Sequence, residues 1–177
     1  MAQTVFIRKM EPADLCRVIE VEKDSFADPW SESAYLTEIS NASAYYIVIC
    51  VGDLIVGFAG MWVIMDESHI TTIAVDKQYR KLRLGERLLI DLLEESVKRG
   101  AKRATLEVRQ SNIAAQNLYI KYEFKPVAIR REYYSNNNEN AVIMWVDDII
   151  SHSFRMKLTS LKEQAQAIAI ERVDRTD

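Results

Sequence analysis

Ile70-Thr71-Thr72-Ile73-Ala74-Val75-Asp76-Lys77-Gln78-Tyr79-Arg80-Lys81-Leu82-Arg83-Leu84-Gly85-Glu86-Arg87 reads as a strand, a basic turn and the start of a helix. Residues 70–75 are mostly β-branched, a type that suits a pleated, half-buried surface, and Asp76 breaks the run. Leu84, Leu88 and Leu92 then share one helical row and Leu89, Leu93 and Val97 the next. Lys98 and Arg99 in the last turn, with Gly100 beyond, form the expected stop. Between strand and helix, Lys77, Arg80, Lys81, Arg83 and Arg87 surround a helix start. Unpaired N–H groups and the helix dipole act together there to favour an anion. The competing reading is a basic surface loop in front of an ordinary helix.

Upstream, residues 5–8 form a short strand candidate. Glu11-Pro12 then opens a helix whose apolar face is Leu15, Val18, Ile19 and Val21. Asp28-Pro29-Trp30-Ser31 interrupts it, and Ser31 caps a second helix with Leu36 and Ile39 expected on its buried side. Residues 44–51 and 54–64 read as a hairpin about Gly52-Asp53, with Gly57 and Gly60 marking bends or a bulge.

Downstream, residues 104–109 alternate so that Leu106 and Val108 take one face and Thr105, Glu107 and Arg109 the other. Ser111 or Asn112 caps a helix carrying Ala115, Leu118, Tyr119 and Tyr122, and residues 124–134 and 141–146 form two strands around a polar loop. This order predicts one α/β domain over residues 1–150, a mixed sheet with helices on both faces. Residues 151–177 read as a C-terminal helical appendage with a charged, frayed end.

The 177 residues suffice for a single core, and the net charge of -3 makes the basic turn a local feature rather than a general nucleic-acid surface. Cys16 and Cys50, with His69 and His152, show no metal-ligand spacing, so no metal is expected and His69 receives no role. No apolar run is long enough to span a membrane and Met1-Ala2-Gln3 has no basic start, so a cytoplasmic location is expected. Oligomeric state is not legible. The five glycines form neither of the glycine-rich nucleotide fingerprints.

The spacing from Arg80 to Gly85 resembles the R/Q-x-x-G-x-G/A turn of the Gcn5-related N-acetyltransferases (GNAT), which grips the pyrophosphate of acetyl-coenzyme A. Arg83 stands where that pattern has its first glycine. An arginine there either crowds the approach to the phosphates or supplies a binding fork of its own. Glu107-Val108-Arg109-Gln110-Ser111-Asn112, followed by Leu118-Tyr119, resembles the corresponding segment of the ribosomal-protein-alanine N-acetyltransferases, the RimI group. Asp66-Glu67, Arg130-Arg131, Tyr133-Tyr134 and residues 141–144 extend the likeness over nearly the whole domain. Tyr122-Glu123-Phe124 departs from it, since the family usually has glycine at the middle position.

The resemblance implies a GNAT-like, mostly antiparallel central sheet and transfer of acetyl from acetyl-coenzyme A to a protein N-terminus. By the same resemblance the acceptor would be the N-terminal alanine of a small-subunit ribosomal protein. Glu107 would be the base, directly or through water, and Tyr119 the proton donor to the departing thiolate. The competing readings are a solvated strand carboxylate paired with Arg109 or a neighbour for Glu107 and helix packing for Tyr119. The main chain of Ile73, Ala74 and Val75 would hold the pantetheine arm. Arg80, Lys81, Leu82, Arg83, Leu84, Gly85 and Glu86 would hold the diphosphate, and Asn112 would also bind the cofactor. Trp30, Tyr133 and Tyr134 would line the acceptor side. Lysine acetylation, broader N-terminal acetylation, or a coenzyme-A or peptide-binding module without turnover are the alternatives.

Overall fold

A computed structural model describes residues 4–173, with side chains to residue 166. The elements are β1 (Val5–Lys9), α1 (Leu15–Ser25), α2 (Glu32–Ile39), β2 (Ala44–Val51), β3 (Leu54–Ile64), β4 (Glu67–Val75), α3 (Leu84–Lys98), β5 (Arg103–Arg109), α4 (Ile113–Lys121), β6 (Lys125–Tyr134), β7 (Glu139–Val146) and α5 (His152–Val173). They follow the order read from the sequence. The seven strands form one sheet in the order β1-β2-β3-β4-β5-β7-β6. Every neighbouring pair is antiparallel except β4 and β5, which run parallel.

Side-chain alternation along the strands divides the core in two. Ile47, Ile49, Leu106 and Val108 face the side covered by α3, whose Leu84, Leu88, Leu89, Leu92 and Leu93 are all buried. Tyr46, Val48, Cys50 and Phe58 face α1 and α2. A fully buried leucine contributes about 1.5–3 kcal/mol, so α3 is held chiefly by its apolar stripe. On α2 the expected face is displaced by one residue: Tyr35 is buried, whereas Leu36 is 41% exposed. Tyr35 takes that place because its ring packs edge-on to both Tyr46 and Phe58.

α5 lies against α3, with Phe154, Leu158 and Ala165 buried and Lys162 paired to Glu94. The charged stretch from Glu171 to Asp177 lies outside the described side chains.

Two features open the sheet at its centre. Gly60 pairs with Thr72 and Met61 with Ile70, so Thr71 is an extra residue on β4, a bulge that kinks the strand. The Tyr46 hydroxyl and Thr71 Oγ1 are 3.0 Å apart and brace that bulge. A side chain at Gly60 would run into the Tyr46 ring, which explains why glycine sits there. Parallel pairing of β4 with β5 then stops at Ile70 and Leu106, although β4 runs on to Val75 and β5 to Arg109. The two strands splay apart beyond that point.

Candidate active site

The splay leaves backbone groups of β4 without a strand partner. The Asp76 N–H donates to the Val56 carbonyl on β3. Antiparallel alternation therefore turns the N–H groups of Ile73 and Val75 away from β3, into the gap. A cleft of about 350 Å³ occupies that gap. Its floor is β4 from Ile70 to Ile73 and β5 from Leu106 to Arg109, its α1 side runs from Glu22 to Trp30, and Asn112, Tyr119, Tyr133 and Tyr134 close it. Sequence positions spread over more than 100 residues thus meet at one opening.

Glu107 faces this cleft, as the strand alternation predicts, and its side chain is 14% exposed. Its partner is not Arg109. Oε2 lies 2.6 Å from His69 Nε2 and Oε1 accepts from Arg130 at 3.4 Å. The His69 contact holds the Glu107 carboxyl below the usual carboxylate range, against the effect of burial. His69, which carries no recognisable motif, is brought there by strand pairing. It lies opposite Thr105 on the parallel neighbour, so Glu107, two residues on, shares its face. The Trp62 ring packs edge-on to the imidazole.

Tyr119 reaches the same cleft from α4, its ring against Phe124 and partly exposed. Burial, with the Tyr134 phenol nearby, pushes its pKa up to about 12. Asn112 caps α4 by accepting from the Ala115 N–H at 3.1 Å and also lines the cleft, so capping and lining coexist. At the β6–β7 end of the cleft, the Arg109 guanidinium lies 3.8 Å from the Tyr134 ring centre and donates to Glu139 and Asn136. Arg109 thereby ties the β6–β7 turn to β5. Ser135 Oγ donates to Asp28 across the rim.

The turn before α3 behaves differently at each position. Arg80 is exposed, donating to the Val75 carbonyl and to Ser25 Oγ. Leu82 and Leu84 bury their side chains in the core, so only their main chain is available to a ligand. Glu86 is buried beneath Lys121, the Tyr122 hydroxyl (2.8 Å) and Arg83. Its carboxylate is therefore committed internally. Arg87, expected among the phosphate-balancing cations, turns instead to the Val5 carbonyl on β1. Among the described residues no group of three or more His, Cys, Asp or Glu could hold a metal ion, and no helix is long and apolar enough to cross a membrane.

The model of the acetyltransferase (GNAT) family matches residues 15–124, more than half of the chain and including β4, the basic turn, β5 and α4. The chain belongs to the GNAT family of acetyltransferases. It is 40% identical over 141 residues to a putative [ribosomal protein bS18]-alanine N-acetyltransferase of Bacillus subtilis, a match covering 79% of this chain and 93% of the relative. It is 37% identical over 142 residues to the [ribosomal protein bS18]-alanine N-acetyltransferase of Escherichia coli, covering 78% of this chain and 94% of the relative. The crystal structure of the ribosomal-protein-S18-alanine N-acetyltransferase from Escherichia coli superposes with a TM-score of 0.76 at 33% identity, covering 82% and 94% of the two chains. The expected fold and the activity class, an N-acetyltransferase using acetyl-coenzyme A, therefore hold.

This GNAT chain keeps the glycine-type backbone where it lacks the glycine. Arg83, the N-cap of α3, has φ 60°, and Glu123 has φ 67°. Each side chain is held by an ion pair, Arg83 with Glu86 at 3.5 Å and Glu123 with Lys157 of α5 at 2.9 Å. Left-handed backbone costs a non-glycine residue about 1–2 kcal/mol, and glycine loses about 0.5–1 kcal/mol more on folding. Arg83→Gly is accordingly expected to raise stability by about 0.5–1 kcal/mol, measured as a higher urea midpoint. A lower midpoint would show that the contact with Glu86 outweighs the strain.

Proposed function

We propose that this enzyme transfers acetyl from acetyl-coenzyme A to the α-amino group of a protein N-terminus, by direct attack within a ternary complex. The acceptor is the N-terminal alanine of a ribosomal protein of the bS18 type. The observation that carries this reading is the meeting of the Glu107 carboxylate and the Tyr119 phenol at one cleft, where β4 and β5 part. The two come from opposite sides of the sheet, which suits a reaction whose donor and acceptor arrive separately. The catalytic domain is assigned to residues 1–150 and the remainder to an appendage, whose α5 braces α3 through Phe154, Leu158 and Lys162. The bacterial ribosomal relatives support a cytoplasmic location.

The residues present fit the cofactor. N–H groups of Ile73 and Val75 point into the gap, and the turn leading into the N-terminus of α3 is rimmed by Arg80 and Lys81. The Arg83 side chain bends back towards Glu86, 3.5 Å away. Acetyl-coenzyme A supplies a thioester whose carbonyl the β4 N–H groups would polarise. The main chain from Arg80 to Glu86 and the Arg80 guanidinium hold its diphosphate, and Asn112 contributes from the start of α4.

Glu107 receives the acceptor as an ammonium and accepts its proton. Its depressed pKa makes it a poor final resting place for a proton from an amine of pKa about 7.7–8.0. The adjoining, partly exposed His69 imidazole gives that proton a way out. The neutral amine attacks the thioester carbonyl, the carbon–sulfur bond breaks as Tyr119 donates its phenolic proton to the departing sulfur, and the second proton lost by the attacking nitrogen, relayed by water, restores the Tyr119 phenol. Trp30, Tyr133 and Tyr134 flank the acceptor chain.

The pH profile follows from these groups. Glu107 is ionised across the neutral range, and Tyr119 stays protonated to about 12. Neither therefore titrates between pH 6 and about 9, and kcat/KM is expected to rise about tenfold per unit below about pH 7 and to flatten above about pH 8, following the acceptor amine. A bell with a fall near neutrality would contradict these assignments. The function itself is tested by incubating the protein with acetyl-coenzyme A and a peptide library read by mass spectrometry. Acetylation confined to lysine side chains, or coenzyme binding without transfer to any peptide, would overturn it.

A further inference from the structure

One carboxylate on the rim of the cleft takes no part in the chemistry above. Glu22, at the C-terminal end of α1, is 3% exposed, yet it lines the acceptor side of the cleft. Its Oε1 accepts from the Trp30 main-chain N–H at 3.0 Å and its Oε2 from the Tyr35 hydroxyl at 2.8 Å. Trp30 lies in the segment between α1 and α2, and Tyr35 is the fully buried anchor of α2. The Trp30 and Tyr35 rings also touch, with centroids 5.6 Å apart. A single carboxylate therefore joins the end of one helix, the connecting segment and the core of the next.

Burying a carboxylate is costly, and burial raises the pKa of Glu22 in spite of both hydrogen bonds. An apolar residue would fill the same space without that cost, but it would leave the Trp30 N–H without this acceptor. Among the described residues the hydrogen-bond partners of Glu22 are two neutral donors, while Arg80 reaches Ser25 and Val75. What Glu22 secures is the position of the Trp30 backbone, and with it the wall formed by Phe26, Ala27, Asp28 and Trp30.

We infer that Glu22 is a positioning residue for the acceptor: by clamping Trp30 it fixes the wall against which the first residues of the incoming polypeptide lie. This rests on the acceptor reading given above. A clamped wall keeps the space for the acceptor's first side chain small, and an unclamped wall yields to larger ones.

Three variants test this. Glu22→Ala removes both contacts. Glu22→Gln keeps an oxygen for the Trp30 N–H and an amide that donates to the Tyr35 oxygen. Tyr35→Phe removes one anchor and leaves the clamp on Trp30. For Glu22→Ala the expected result is an acceptor KM raised about tenfold, with kcat and the KM for acetyl-coenzyme A within about twofold, and a reduced preference for Ala- over Leu-starting peptides. Glu22→Gln and Tyr35→Phe should restore most of the wild-type acceptor KM. Hydrogen exchange of the Trp30 amide needs no turnover: protection in the wild type, lost in Glu22→Ala and regained in Glu22→Gln, supports the clamp even where the peptides prove to be the wrong acceptors. An unprotected Trp30 amide in the wild type overturns it. So does a Glu22→Ala protein that is folded, as judged by its urea midpoint, and keeps both its acceptor KM and its peptide preference. Should Glu22→Ala not fold, a Glu22→Gln protein whose Trp30 amide exchanges freely overturns the clamp as well.

Discussion

Glu107→Gln is expected to slow acetyl transfer by about a hundredfold or more while leaving acetyl-coenzyme A affinity within about twofold. The substitution is nearly isosteric and keeps a hydrogen-bonding group beside His69, so the strand and the cleft should survive it. It removes the negative charge that receives the ammonium and the oxygen that takes its proton. Binding of the cofactor, measured by calorimetry, reports on the β4 N–H groups and the basic turn, which the substitution does not touch. His69→Gln should cost less, on the order of tenfold, because Glu107 would keep its charge and lose only the adjoining route for the proton. A carboxyl freed from His69 should also titrate higher. The Glu107 pKa is lowered in the folded protein, so its contribution to stability is present above the ordinary carboxylate range and lost as pH falls through the lowered value. In His69→Gln that acid loss should be smaller and should be complete at a higher pH. An unchanged transfer rate in Glu107→Gln would remove this residue from the mechanism.

Tyr119→Phe should lower kcat by about tenfold to a hundredfold with little change in either KM. The ring remains to pack against Phe124, so the thermal midpoint should move little. A phenol of pKa about 12 facing a thiol of about 8.5 would have to move its proton uphill by about 5 kcal/mol if transfer preceded bond cleavage. Donation therefore accompanies cleavage of the carbon–sulfur bond, and the wild type should show a solvent deuterium isotope effect on kcat in single-turnover measurements. The variant should lose it. Full activity with the isotope effect intact would make Tyr119 a packing residue of α4 and nothing more.

These two predictions draw on different kinds of information. That Glu107 lies away from the core followed from its place between Leu106 and Val108, since alternation in a strand is set by local geometry. Which partner it would find did not follow. Arg109 was the nearest cation on the same face, but the structure sends Arg109 to Tyr134 and the β6–β7 turn and gives Glu107 to His69 and Arg130. Tyr119 stood in an apolar helical stripe that suggested packing. It packs and also lines the cleft, because α4 sits beside the splay with that edge of the stripe uncovered. Leu36 and Tyr35 on α2 make the same point in the core. Both are apolar enough to be buried, and only the rings of Tyr46 and Phe58 decide between them.

The sequence alone determined what is local: the order of strands and helices, the strand alternation that turns Glu107 from the core, the apolar stripe of α3, and the cation-rich turn that precedes it. Those depend on neighbours one to four residues away. The tertiary structure decided what depends on which strands lie side by side and where their pairing ends. The β4–β5 pairing places His69 on the face of Glu107. The end of that pairing at Ile70 opens the cleft. Contacts between residues 38 or more positions apart arise only when the whole sheet settles into register, and no stretch of the chain carries that information by itself.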